Sequence, residues 1–232
     1  MQCVILAGGL GTRMWPEART IPKTLLPVAG KPFAAWQLSW LARSGIDSVV
    51  YCVGYLGGQV RGHVHDGAAW GLAVRYVDEG DQLRGTAGAL RLAHDEGALA
   101  DDFLVLYGDS WLQIDPAAVL RAARGRREPA LMTVYRNEGR WDTSNVLFDG
   151  SRVVRYDKRH PTPDMKFIDY GLGVLSSALF DVVQEGVFDL SDLYASLAGV
   201  GRLAGFEETQ RFYEIGTPSG LAEADSHLRG NL

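Results

Sequence analysis

The sequence predicts a single α/β domain built on a mostly parallel, mixed sheet flanked by helices. Three observations carry that prediction. Apolar runs of strand length alternate with helix-period segments through the first half of the chain. The runs are continuous rather than alternating, as expected of strands covered on both faces. The 232 residues suit one large domain, and they contain no internal repeat, low-complexity tract or long linker.

Taken in order, residues 2–7 (QCVILA) read as a strand that ends in glycines. Residues 32–43 follow as an amphipathic helix: Phe33, Trp36, Trp40 and Leu41 recur at three- and four-residue spacing, and Pro32 is acceptable in the first turn. Residues 48–53 form the next strand, 59–65 a short helix and 72–77 another strand. Residues 86–96, rich in Ala and Leu, form a second long helix. Residues 103–107 (FLVLY) form a strand broken by Gly108-Asp109. After about residue 128 the texture becomes strand-rich: 130–136, 144–148, 152–157 and 168–175 read as strands. Asp149-Gly150 reads as a tight hairpin turn between two of them. Residues 192–197 form a late helix. The halves 1–128 and 129–232 are expected to pack as one domain.

Hydrophobic residues make up 47% and charged residues 22%, which suits a soluble globular core. The net charge of -5 argues against a general nucleic-acid binder, so any phosphate must bind at a local site. Cys3 and Cys52 lie in strand-like runs and read as reduced core thiols, with no metal-binding spacing. The opening MQCVILAGG carries no basic residue before Arg13 and does not read as a signal peptide. No apolar stretch approaches the ~20 residues of a membrane span. The expected location is the cytoplasm. His63, His65, His94, His160 and His227 show neither ligand nor triad spacing, and no GxSxG nucleophile motif occurs.

The segments with chemical content lie at strand ends, where ligands of open α/β sheets bind. Gly8, Gly9 and Gly11 follow the first strand. Glycine there lets backbone approach a phosphate, and successive amides form an anion nest to which Arg13 adds a fixed fork. A Walker A loop counted from Gly8 would need Gly-Lys where Arg13-Met14 stands. A GxGxxG loop counted from Gly9 would end at Met14. Both known loops are therefore excluded, and with them a dinucleotide-linked dehydrogenase. Asp109 sits past a hydrophobic strand, where on its own it reads as a turn or cap residue. GTAGAL (85–90) alone reads as a helix capped by Thr86. Asp157-Lys158 alone reads as a surface ion pair.

Together these segments resemble the sugar-1-phosphate nucleotidyltransferase family. The string LAGGLGTRMWPEARTIPKTLLPVAGKP (6–32) matches its LAGGxGTR…PK…PxxxKP signature at Leu6, Ala7, Gly8, Gly9, Gly11, Thr12, Arg13, Pro22, Lys23, Pro27, Lys31 and Pro32. The resemblance implies the Rossmann-like nucleotide-diphospho-sugar transferase fold. It makes 1–128 the nucleotide-binding half and 129–232 the sugar-phosphate half. It assigns Leu6, Ala7, Gly8, Gly9, Gly11, Thr12 and Arg13 to the triphosphate, and charge neutralisation to Lys23. Gly85 and Thr86 are assigned to the base through backbone amides at a helix start. Leu83-Arg84 stands where the family often has Pro-Leu, which leaves the base open. The resemblance makes Asp109 a ligand of Mg²⁺, the implied cofactor. Glu214, in FYEIGTP, stands where the family usually has the second metal-binding Asp. Lys158, Asp157, Asn145, Asp169, Tyr170 and Gly171 are implied on the sugar-phosphate side.

The implied substrates are a nucleoside triphosphate and a sugar 1-phosphate, with no nucleic-acid or membrane partner; a homo-oligomer is compatible with the sequence. Residues 156–171 most resemble the heptose-1-phosphate guanylyltransferase branch, which favours GTP and a manno-configured sugar. Uridylyl, thymidylyl and cytidylyl transfer stay open. The chain stops soon after its Gly-Thr-Pro string, so no C-terminal β-helix or acyltransferase activity is expected. The rival reading is a non-catalytic nucleotide-sugar sensor. Arg13, Lys23 and Asp109 argue against it, and Glu214 argues for it.

Overall fold

A computed structural model describes residues 1–14, 19–181, 183 and 186–230. In chain order the strands and helices are β1 (Gln2–Ala7), β2 (Pro27–Val28), β3 (Lys31–Pro32), α1 (Phe33–Arg43), β4 (Ser48–Val53), α2 (Gly57–Val64), β5 (Ala73–Asp78) and α3 (Gly85–Asp95). They continue as β6 (Asp102–Tyr107), β7 (Ser110–Trp111), α4 (Pro116–Ala123), β8 (Ala130–Arg136), β9 (Val146–Phe148), β10 (Val153–Tyr156) and β11 (Phe167–Ser176). The chain closes with α5 (Leu190–Gly199), β12 (Leu203–Glu208), β13 (Tyr213–Glu214) and α6 (Pro218–Gly230). Short 3-10 turns cover Thr12–Met14 and Lys23–Leu25.

Among the described residues, nine strands form one mixed sheet. β5, β4, β1 and β6 run parallel side by side. β11 then runs antiparallel to β6 on one side and to β8 on the other, and β12 lies parallel to β8. β9 and β10 form the expected hairpin, and Asp149 Oδ1 accepts from the N–H groups of Ser151 and Arg152 to close its turn.

Alternation along each strand divides the core in two. Cys3, Ile5, Val49, Tyr51, Leu104 and Leu106 face α1, α2, α4 and α6. Val4, Val50, Cys52, Phe103 and Val105 face α3 and α5. Both cysteines are buried and unbridged, as expected. All the expected elements form, with ends shifted by one to two residues. The sequence reading did not identify α4, α6 and β12. α4 carries a readable start, Asp115 accepting from Ala117 N–H with Pro116 at the first position. Among the described residues no helix is long and apolar enough to cross a membrane.

Candidate active site

β1 and β6 are adjacent and parallel, so their carboxyl ends bring two loops together: Gly8-Gly9 and Gly108-Asp109. Gly108 N–H donates to Leu6 O at 3.0 Å and holds the loops in contact. From below, the buried amide of Gln37 on α1 donates to Tyr107 O at 3.1 Å and to Ser110 O at 2.9 Å. That fixes the turn on which Asp109 projects.

A cleft of about 280 Å³ opens at this end of the sheet. Leu6, Ala7, Gly8, Gly9, Lys23, Gly85, Thr86 and Asp109, all named by the resemblance, line it. Arg13 lines a second cleft of about 260 Å³, together with Glu214, Gly216 and Thr217. Gly11 and Thr12 line neither. Residues 15–18 of the signature string lie outside the described residues.

Lys23 Nζ pairs with Asp109 Oδ2 at 2.6 Å, each side chain about a fifth exposed. β13 pairs antiparallel with β7, setting Glu214 opposite Ser110, and Ile215 N–H donates to Asp109 O at 2.9 Å. The two implied metal ligands are therefore neighbours. Burial, and then the charge of Asp109, push the Glu214 carboxyl up to about 7; Asp142 and Asp169 add to this and Lys158 opposes it. A Cβ placed on Gly216 would lie 3.5 Å from Arg13 Nη2 and 3.6 Å from Asp109 Oδ2, so both groups face the same glycine. A carboxylate whose proton affinity is raised by the carboxylate beside it belongs to a donor set that a hard divalent cation stabilises. Among the described residues no group of three or more His, Cys, Asp or Glu could hold a metal. Two neighbouring carboxylates fit an ion such as Mg²⁺ only if it takes its other ligands from phosphate and water.

On the base side, Thr86 does not cap its own helix. Its hydroxyl accepts from Leu190 N–H at 2.7 Å, and its amide donates to Asp189 Oδ1 at 3.2 Å. Phe188 O takes the amides of Ala87 and Gly88. The start of α3 is thus tied to the start of α5, and the Thr86 amide expected to meet a base is already engaged. The sequence reading missed Glu79, a carboxylate 9% exposed on the cleft wall. Arg84 N–H donates to its Oε2 at 2.8 Å. A Cβ at Gly8 would overlap its Oε1 and require Glu79 to shift. Burial raises the Glu79 carboxyl above the ordinary value, opposed by Arg84 and reinforced by Asp78.

The implied sugar-phosphate residues are brought together only in part. Asp169 Oδ1 accepts from Gly171 N–H at 3.0 Å, and its Oδ2 from the Tyr107 hydroxyl at 3.4 Å. Burial raises its carboxyl, and Lys158, Gly171 and Tyr107 oppose that. Lys158 is exposed, and its charge acts on both Asp169 and Glu214. Asn145 is 8% exposed, with its Oδ1 buried and unpartnered. Asp157 instead caps its own turn, accepting from Arg159 N–H at 3.0 Å and His160 N–H at 2.8 Å. Tyr170 is a core residue, 1% exposed, packed against Tyr135 and Phe212. Strand alternation turns it to the face opposite Asp169.

The sequence model of the nucleotidyl transferase family matches residues 2–144. Glucose-1-phosphate thymidylyltransferase of Streptomyces antibioticus is 33% identical over 79% of this chain and 52% of its own length. N-acetylmuramate alpha-1-phosphate uridylyltransferase of Neisseria meningitidis is 29% identical over 97% of both chains. The chain spans about half the length of the first curated relatives it matches. The crystal structure of HddC from Yersinia pseudotuberculosis complexed with GMP-PN superposes with a TM-score of 0.82 at 21% identity, covering 98% of this chain and 99% of that one.

Proposed function

The chain belongs to the nucleotidyl transferase family, and from that premise we propose that it transfers a nucleoside monophosphate from a nucleoside triphosphate to a sugar 1-phosphate, releasing pyrophosphate. The observation that carries the proposal is the convergence of Arg13, Lys23, Asp109 and Glu214 beside the Gly8-Gly9 loop. In the reaction an oxygen of the sugar phosphate attacks the α-phosphorus in line, and the bond to the pyrophosphate oxygen breaks. Two polyanions must meet for this. Arg13, Lys23 and Lys158 offset their repulsion and the charge that develops on the leaving oxygens. Asp109 and Glu214 would hold Mg²⁺, which when bound would offset the negative charge of the phosphates. A phosphate monoester is already a nucleophile at neutral pH, so no protein base is required. Positioning by the two clefts supplies much of the remaining acceleration.

The nucleotide is proposed to be GTP. Guanine presents two adjacent N–H donors, which a carboxylate can accept together. Glu79 on the wall of the first cleft is a group of that kind. Uracil and thymine flank one N–H with two carbonyls, which a carboxylate repels. The sugar is proposed to be a manno-configured hexose or heptose 1-phosphate used in surface polysaccharide synthesis, on the resemblance of residues 156–171. The relatives themselves carry differing bases and sugars in their names.

Pyrophosphate release tests the proposal, measured with Mg²⁺ across four nucleoside triphosphates and a panel of hexose and heptose 1-phosphates. Release that requires GTP and one manno-configured partner is expected. Release with UTP or TTP would keep the transferase and overturn the base assignment. A protein that binds nucleotide sugar yet releases nothing with any pair would be a sensor, with Glu214 as the first residue to test.

A further inference from the structure

The loop between β8 and β9 is braced from inside. Asn137 is fully buried, and its Nδ2 donates to Asp142 O at 2.6 Å and Ser144 Oγ at 3.1 Å. Its Oδ1 accepts from Trp141 N–H at 2.9 Å, and its own N–H donates to Lys166 O at 3.0 Å. The loop presents Trp141, 47% exposed, at the second cleft, which Arg13 and Glu214 also line.

The indole does not stand alone. The Arg211 guanidinium carbon lies 3.6 Å from its ring centroid and 4.6 Å from that of Tyr213. Tyr213 stacks on His227 of α6 with centroids 4.1 Å apart and planes 17° apart. Arg211 also pairs with Glu223 of α6. A four-layer stack thus runs from the loop to the last helix and covers one indole face with a cation. Even so the residue remains 47% exposed, which is unfavourable for so large an apolar ring.

A flat apolar face ringed by charged and polar groups matches a pyranose ring, whose C–H face is apolar and whose hydroxyls radiate from its edge. A nucleobase is also flat, but the first cleft, with Glu79 and the start of α3, is the better base site. Trp141, Asp142, Arg13 and Glu214 line this one cleft, so the indole sits beside the charged groups proposed to meet the phosphates.

We propose that Trp141 is the platform against which the ring of the sugar 1-phosphate packs, and that Arg211 is a positioning residue that holds the indole in place. This rests on the transferase reading above. Steady-state kinetics of Trp141→Ala, Trp141→Phe and Arg211→Ala test it, with KM for each substrate measured separately. Trp141→Ala should raise KM for the sugar phosphate about tenfold, the scale of one lost aromatic contact, and leave KM for the nucleotide within about twofold. Trp141→Phe should recover most of that loss, and Arg211→Ala should reproduce part of it without moving the nucleotide KM. Equal rises in both KM values, or none, would overturn the platform.

Tryptophan emission gives a readout that needs no turnover. The sugar 1-phosphate alone should change the emission of the native protein and should not change that of Trp141→Phe. If the native protein shows that change but releases no pyrophosphate, the platform stands and the transferase reading falls. A change that persists in Trp141→Phe would overturn the platform.

Discussion

One oxygen of Glu79 accepts from Arg84 N–H, and the other occupies the space that a side chain at position 8 would take. That placement on the cleft wall gives the base proposal a sharp test. Glutamine in its place keeps the shape but offers one acceptor and one donor, the pattern that uracil and thymine complement. Glu79→Gln should lower kcat/KM for GTP by about 10- to 100-fold, the scale of a lost charge-assisted hydrogen bond, and improve UTP or TTP relative to GTP. An unchanged base preference would remove Glu79 from base recognition. The acid–base behaviour of the residue points the same way. Burial raises its folded-state value, against the opposing Arg84 and with the reinforcing Asp78, so the ionised form is the one that folding disfavours. Its contribution to stability is complete below the ordinary glutamate range and lost as pH rises through the raised value. Glu79→Gln should therefore be at least as stable as the native protein at neutral pH, with the difference closing in acid. In the native enzyme KM for GTP should rise on acidification earlier than titration of an ordinary surface glutamate would bring about.

The junction of α3 and α5 is where one element positions another. Gly85 has φ +72°, and a Cβ there would come 2.5 Å from Phe188 O, the carbonyl that receives the Ala87 and Gly88 amides. Gly85→Ala meets both a left-handed backbone and a fixed carbonyl, at a cost of about 2–4 kcal/mol. A fall in Tm of roughly 5–15 °C is expected, with weaker nucleotide binding because the same turn lines the cleft. A normal Tm would mean the two helix starts are not coupled. This junction also separates what the sequence could show from what it could not. Thr86 was legible as a residue at a helix start, since small hydroxyl residues gather there. That it serves α5 rather than α3 depends on Asp189 and Leu190, brought close only by the fold. The strands β1, β4 and β6 were legible because their apolar runs are continuous, Gly8, Gly9 and Lys23 because their order and spacing form one string, and Asp109 because it follows a hydrophobic strand and a glycine. Glu79 was hidden in an acidic run, and its burial is visible only in the fold. Tyr170 misled because a motif gives positions without faces, and alternation places it in the core. Trp141 carried no local sign, since its partners Arg211 and Tyr213 come from the end of the chain.

At the scale of the whole molecule, the charge of Arg13, Lys23, Asp109 and Glu214 collects at one end of the sheet. The two apolar layers on either side hold it there. Asp109 and Glu214 come from opposite halves of the chain and meet only because β7 pairs with β13. The nucleotide and its metal should therefore join the halves and stabilise the fold as a unit. A ligand at a hundred times its Kd that binds only the folded state adds about 2.7 kcal/mol. For a domain of this size that corresponds to a rise of roughly 5–10 °C in Tm. GTP with Mg²⁺ should produce this rise in a thermal melt, and GTP with EDTA much less of it, because the phosphates then face Asp109 and Glu214 with no cation between them. Glu214→Gln removes the carboxylate that burial and Asp109 push up to about 7. It should leave the ligand-free Tm unchanged or higher while cutting the increment from Mg²⁺ and GTP. An increment that survives both EDTA and Glu214→Gln would show that the nucleotide is held by Arg13, Lys23 and the glycine loop alone. The pairing of β7 with β13 would then serve the architecture rather than the metal.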